Sequence, residues 1–380
     1  MKTSGDFPFT AIIGQDRLKT AYLANIVNPG IGGLLVSGVK GTGKSTLIRS
    51  VSSILPEYDA VAGCPFNCNP SDPRQQCSMC LEKNTLPSER RSMRVVNLPL
   101  SVSEDRLIGS IEIEKLLKTG EKDIQIGILG QANRNILYID EVNLLPDHIV
   151  DDILDAAASH WNTIEREGFS IVHPADFVLV GTMNPEEGDL RPQILDRFPL
   201  SVTIKTVTDP QQRVEIVKRN LMFESDPDRF LEVFRRSSEQ LKAWIMEARE
   251  RLPEIVIDEE SLLAIASACG ELKVDGQRPD IVIVKLARST AALERRSTVA
   301  MKDILLGAVL TLAHRTRDGG LLGPPSEEDI ETVFRKHVKK TAGDRGPVFQ
   351  PEDAFNRLSD AAAVTHFDLS DTGGEKKNMK

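Results

Sequence analysis

No stretch of the 380-residue chain approaches the run of about eighteen apolar residues that marks a membrane-crossing helix. A basic surplus is also missing. Against 47 Lys and Arg stand 56 Asp and Glu, a net charge of −9, so no global positive field recruits nucleic acid. The opening residues, Met1-Lys2-Thr3-Ser4-Gly5-Asp6, hold neither the apolar core of a secretory signal nor an Arg-rich transit pattern, and the expected location is the cytoplasm. Five cysteines are too few for a disulfide scaffold at this length, and no internal repeat is present. What is left is an ordinary globular composition, 40% hydrophobic and 27% charged, with length for two domains and a tail.

Scarce as they are, four of the cysteines stand together as Cys64-x3-Cys68-x8-Cys77-x2-Cys80. In a reducing compartment such a group points to a metal before disulfides, and zinc is the ion that thiolates suit. Free thiols or a redox-sensitive pair are the alternatives. Pro65, Pro70 and Pro73 make residues 56–92 an expected irregular loop. Cys269, inside an apolar helical stretch, reads as a small core residue.

The strongest chemical signal is Gly38-Val39-Lys40-Gly41-Thr42-Gly43-Lys44-Ser45, which fits G-x-x-x-x-G-K-[ST]. It follows the apolar run Leu34-Leu35-Val36 and precedes a helical pattern opening at Thr46, the strand–loop–helix context the motif requires. Its glycines let backbone N–H groups surround phosphate oxygens at a helix N-terminus. Lys44 reaches the β- and γ-phosphates, and the Ser45 hydroxyl ligates Mg²⁺. The chain therefore binds a nucleoside triphosphate.

Further along, Asn135-Ile136-Leu137-Tyr138-Ile139-Asp140-Glu141 is an apolar strand ending in two carboxylates. At the carboxyl end of a parallel nucleotide-binding sheet, Asp140 holds Mg²⁺ and Glu141 polarises an attacking water. Phe177 to Thr182 is another buried strand, followed by Met183-Asn184-Pro185. An asparagine before proline ordinarily makes a turn, so a water-orienting role for Asn184 rests on the neighbouring motifs.

The alternation of strands and helices predicts an α/β fold up to about residue 208, a parallel sheet sandwiched by helices. Its strands are expected at Gly33 to Ser37, Met93 to Asn97, about 135–139, Phe177 to Thr182 and Leu200 to Val207, with helices at Gln15 to Ile26, Ile111 to Leu117, Gly127 to Ala132 and Pro146 to Ala158. Residues 97–109 show no period and read as an excursion, and residues 161–172 read as a hairpin around Glu165-Arg166-Glu167-Gly168. Asp209-Pro210 caps a helix through about Phe223. Residues 209–340 then form a second, all-helical domain, with helices at 228–249, 258–270, 278–294, 298–317 and 326–339. Residues 341–380 form a polar tail whose last fifteen or so residues are expected to be disordered.

Together these stretches resemble the AAA+ ATPases and, within them, the ATPase (I) subunit family of magnesium chelatase, over roughly residues 7 to 320. The resemblance rests on Ile12-Ile13-Gly14-Gln15, the phosphate loop, the long run from Ala132 to Leu145, Gly181 to Gly188, and Leu190 to Phe198. It implies that Ile13 to Gln15 lie near adenine and that Asn184 is the first sensor. Arg197 resembles the arginine finger that reaches a neighbouring subunit's γ-phosphate, with Arg191 as its fallback. Arg278 resembles the second sensor. The two insertions of that branch belong at residues 97–109 and 161–172.

A finger acting on a neighbour implies a homohexameric ring. Further implied partners are the AAA+ D subunit and the large porphyrin-binding H subunit, with ATP hydrolysis driving Mg²⁺ into protoporphyrin IX. Related ring subunits serve cobalt or other metal chelatases, and a MoxR-type chaperone shares the nucleotide chemistry; the long literal runs favour the magnesium chelatase. A helicase-type motor shares both insertions, but its hairpin tip should present Lys or Arg to a phosphate backbone, and here the tip is Glu165-Arg166-Glu167-Gly168 in a chain of acidic net charge.

Overall fold

The computed structural model describes residues 5–111, 124–166, 169–188, 190–195 and 197–338. Its centre is a five-stranded sheet of β1 (Gly33–Ser37), β2 (Val95–Leu98), β3 (Ile136–Ile139), β4 (Val178–Met183) and β5 (Leu200–Thr203), in the order β5-β1-β4-β3-β2. Every pairing is parallel. Such strands are covered on both faces, which is why they read as unbroken apolar runs. Leu34, Val36, Ile136, Tyr138, Val178, Val180, Leu200 and Val202 enter one core. Their neighbours Leu35, Leu137, Ile139 and Leu179 enter the other.

The second core is closed by α3 (Asp147–Ser159), whose Ile149, Val150, Ile153 and Leu154 are buried. Asp147, Asp151 and Asp155 recur every four residues on its solvent-facing side. On the first face lie α1 (Asp16–Val27) and α2 (Lys44–Ser50), the latter opening straight out of the loop after β1. After β5 and a short α4 (Pro192–Leu195) before it, the chain turns helical. Those helices are α5 (Pro210–Ser225), α6 (Pro227–Arg251), α7 (Glu259–Glu271), α8 (Arg278–Leu293), α9 (Met301–Leu312) and α10 (Glu327–His337). Caps mark their starts as their sequences require: Asp209 accepts from Gln211 and Gln212 N–H, Asp226 from Arg229, Asp258 from Ser261 and Ser326 from Asp329. Packing does not break at the change of composition. One core runs from α1 and the sheet into Ile283, Leu286 and Ala287 of α8, Ile304 and Ala308 of α9 and Phe334 of α10.

Several expectations need correction. Residues 56–92 are not wholly irregular. Glu57–Val61 pairs antiparallel with Ser88–Ser92, closing the cysteine loop at its base. The expected excursion at 97–109 contains a helical turn, Glu104–Ile108. Ile111 is not helical: Gly109–Ile111 pairs with Ile124–Ile126, and residues 112–117 of that expected helix lie outside the described residues. The strand from Leu200 ends at Thr203, where its last partner, Ser37, gives way to the phosphate loop. The helix expected over 298–317 is Met301–Leu312, held at its start by Asp303 accepting from Ala300 N–H. The hairpin forms as Trp161–Arg166 against Phe169–Pro174; Glu167 and Gly168 of its tip, and the tail 341–380, lie outside the described residues.

Candidate active site

The phosphate loop connects β1 to α2, tied to the sheet where Gly38 N–H donates to Met183 O at 3.2 Å. Gly41 and Gly43 have φ of +84° and +81°, the left-handed region that a side chain resists. Lys44 Nζ donates to Gly38 O and, at 3.0 Å, to Val39 O, so its ammonium is folded over the loop.

Across from it stands the carboxyl end of β3. Ser45 Oγ lies 3.3 Å from both Asp140 oxygens. Thr182 on the adjacent β4 donates its hydroxyl to Asp140 Oδ1 at 2.6 Å and accepts from Glu141 N–H at 3.1 Å. Glu141 itself sits at φ +56°, an uncommon conformation for a residue with a side chain, and this hydrogen bond helps hold it there. Asn184 accepts from Glu186 N–H at 3.2 Å, fixing the turn after β4. Residues Lys40 to Thr46, Asp140, Glu141, Asn184 and Glu187 line one cavity of about 350 Å³.

A second cavity, of about 430 Å³, shares Gly41, Thr42, Gly43 and Thr46 with the first, so the two compartments meet at the loop. Its walls are more apolar: Ile12, Ile13, Leu47 and Val207 face Ile216 and Val217 of α5. Gln15, at φ +61°, donates to Lys205 O at 3.1 Å and ties the entrance of α1 to the chain after β5. Arg219 donates to Ala11 O at 2.9 Å and closes the far wall. Such a pair of compartments accommodates a polyphosphate in one and a flat apolar base in the other.

The three arginines singled out from sequence are not in either cavity. Arg197 pairs with Asp155 at 2.9 Å and Arg191 with Asp147, both pairs open to solvent. With Asp151 and Ile194 they surround a separate cavity of about 430 Å³. Arg278, at the start of α8, donates to Arg197 O at 3.5 Å, and its pKa is pushed down by burial and by the Arg197 charge. Just beyond, Phe198 O accepts from His314 Nε2 and from Arg315, each at 3.0 Å, and pins the helical region to this edge. Burial, with the Arg315 charge second, pushes His314 down to about 4.

The four grouped cysteines lie apart from all three cavities, and each is buried. Hydrogen bonds from Cys68 and Cys77 push the Cys64 thiol down, whereas burial pushes Cys80 up to about 12. Cys269 is buried in the main core.

Sequence reasoning missed two residues here. Thr182 stood inside a recognised run, but nothing local marks it as the link between Asp140 and Glu141. Arg213 lines the apolar cavity from α5, about 170 residues from the loop it faces, and no spacing signals that approach.

The chain resembles known proteins over most of its length. Residues 8–194 match the family model described as magnesium chelatase, subunit ChlI, and residues 262–335 match an AAA lid domain. A magnesium-chelatase subunit ChlI homolog of Methanocaldococcus jannaschii is 48% identical over 89% of this chain and 93% of its own. The magnesium-chelatase subunit ChlI of Synechocystis is 46% identical over 87% and 94%. In architecture the chain is similar to a Cytophaga hutchinsonii crystal structure at 2.00 Å, provisionally named an ATPase. That match has a TM-score of 0.58 at 17% identity and covers 87% of this chain and 92% of that one.

Proposed function

The chain belongs to the magnesium-chelatase ChlI family, and from that premise we propose how its residues divide the work. The activity is that of the AAA+ ATPase subunit of magnesium chelatase, with ATP and Mg²⁺ as cofactors and metal insertion into protoporphyrin IX as the driven step. Lys44 and the loop amides offset charge on the β- and γ-phosphates. Ser45 and Asp140 hold the Mg²⁺ of MgATP. The Ser45 hydroxyl and the Asp140 carboxylate, 3.3 Å apart, are the hard oxygen donors that would hold that ion. The ion neutralises developing phosphate charge when bound.

Glu141 takes the proton of the attacking water as its oxygen bonds to the γ-phosphorus and the bond to ADP breaks. Asn184, in the same cavity, orients that water. Ile13 and the wall of α5 hold adenine.

Arg197 acts on the nucleotide of a neighbouring subunit. The support is its cavity, which shares no residue with the phosphate compartment. Arg278, beside Arg197, is assigned to the same shared site, and Arg191 is the fallback finger. A homohexameric ring follows from this reading, with the D subunit and the porphyrin-binding H subunit as partners. Zinc at the four cysteines completes the cofactors. Among the described residues no helix is long and apolar enough to cross a membrane.

The observation that carries the reading is the link Ser45–Asp140–Thr182–Glu141, which joins the metal side of the site to the water side through one hydroxyl. Its test is ATP-dependent Mg²⁺ insertion into protoporphyrin IX with D and H subunits supplied. Insertion should require this chain, and Glu141→Gln should retain ATP binding while lowering turnover by about a hundredfold or more. ATP hydrolysis without insertion would move the assignment to another metal or to a chaperone.

A further inference from the structure

The Sγ atoms of Cys64, Cys68, Cys77 and Cys80 all lie within 4.8 Å of one another, and none of the four side chains is more than 2% exposed. A tetrahedral zinc with bonds of about 2.3 Å places its sulfurs about 3.8 Å apart, and Cys64 and Cys77 stand at 4.0 Å. Disulfides need sulfurs to meet only in pairs, at about 2.05 Å. That chemistry gives no reason for four to converge on one point. The backbone is arranged for anions as well. Cys77 N–H points at Cys68 Sγ at 3.1 Å. Amide donors to sulfur favour thiolates and orient them as ligands.

What surrounds the cluster indicates what it holds in place. Phe66, between the first two cysteines, stacks on His173 of the hairpin at 4.2 Å and 11°. The turn Ser78–Leu81, which carries Cys80, packs on the same hairpin strand. Ile126, from the strand pair that follows β2, packs against the buried cluster that the cysteines form with Val61 and Phe66. Gly130 is needed beneath the ring, since a Cβ there would lie 2.9 Å from Phe66 Cδ1. Asn133, just before β3, donates to Phe66 O at 2.6 Å and receives a bond from Asn67 through its own carbonyl at 3.2 Å. The two excursions also meet each other, where Asn162 donates to Ile108 O at 3.0 Å.

We propose that Cys64, Cys68, Cys77 and Cys80 bind one zinc-class divalent ion as four thiolates, and that this ion anchors both excursions to the base of β3. The site is remote from the phosphate cavity, so it stands or falls separately from the ATPase reading. Zinc bound here needs no open coordination position, and its role is structural. The first excursion leaves β2 and the hairpin leads into β4, the two strands that flank β3, whose carboxyl end bears Asp140 and Glu141.

The test begins with the full-length wild-type protein, so that no variant has to fold. Metal analysis should find one zinc per chain, and exchange with cobalt(II) should produce the visible bands of a tetrahedral thiolate complex. A folded protein that holds no metal, with four thiols open to alkylation or paired as disulfides, overturns the ion. Hydrogen exchange then tests the anchoring. Stripping the metal should speed exchange in the strands Trp161–Arg166 and Phe169–Pro174 by roughly tenfold, with β1 and β4 unchanged. Phe66→Leu, which keeps every ligand, should preserve the cobalt spectrum and loosen the same strands. Metal bound in full while hairpin exchange stays constant on its removal overturns the anchoring.

Discussion

At the phosphate edge of this molecule the working groups are held by hydrogen bonds to the sheet or to the loop itself. Thr182 bonds Asp140 and Glu141, Ser45 faces Asp140, and Lys44 rests on its own loop. At the arginine edge, the Arg191 and Arg197 side chains pair, among the described residues, with aspartates of α3 in solvent-open pairs. The roles proposed for the two edges account for the difference. Groups that stabilise charge within one chain work best when already in place, because no reorganisation is left for the reaction. An arginine that serves a neighbour has to be released when that neighbour arrives, and an exposed ion pair, worth about 0–1 kcal/mol, permits it. The weak restraint thus suits the role proposed for Arg197.

The largest expected effect separates the two edges outright. Arg197→Ala should leave nucleotide binding intact and lower turnover by about a thousandfold. Mixed with wild-type chains it should suppress activity beyond dilution; a loss merely proportional to its share would place Arg197 outside the shared site. Next comes acidity, which reaches the arginine edge through His314. The folded pKa of His314, about 4, lies below its ordinary 6.5. Between these values the unfolded chain binds the extra proton and the folded one does not, so this contribution is full above pH 6.5 and falls as pH drops toward 4. Its upper size is about 3 kcal/mol. Denaturant melts of His314→Gln should lose that part of the slope.

Smaller is Thr182→Val, which removes one hydroxyl that serves two carboxylate-bearing residues. It should cost about 1.5 kcal/mol, or roughly tenfold in kcat, with ring assembly unaffected. Unchanged turnover would remove Thr182 from the phosphate edge. Smallest is Asp155→Asn, which should alter stability by less than about 1 kcal/mol in thermal melts. A larger loss would mean that Arg197 is a structural ion pair after all, and the contrast between the edges would fail.

Much of the phosphate edge was legible because its signals are local. The apolar run before Gly38, the glycines after it and the carboxylates after Ile139 each lie within a few residues of what they shape. Elements with long-range partners were harder to read. Ser88–Ser92 is almost wholly exposed and lacks an apolar alternation, so only its distant partner Glu57–Val61 makes it a strand. Ile111 failed for the same reason, read as a helix start until the pairing of Gly109–Ile111 with Ile124–Ile126 is seen.

By itself the sequence determined the phosphate-loop motif and the two carboxylates that share a cavity with it, since strand, turn and cap preferences act over short stretches. It also determined that four cysteines lie close along the chain. Tertiary structure decided that β4 lies between β1 and β3, which puts Thr182 and Asn184 beside the loop. It alone decided that Arg197 and Arg278 share an edge away from that loop and that four sulfurs converge beneath both excursions. The physical reason is common to all three. Each depends on packing elements far apart in the chain, and the burial that selects such packing is a property of the whole core and of no single segment.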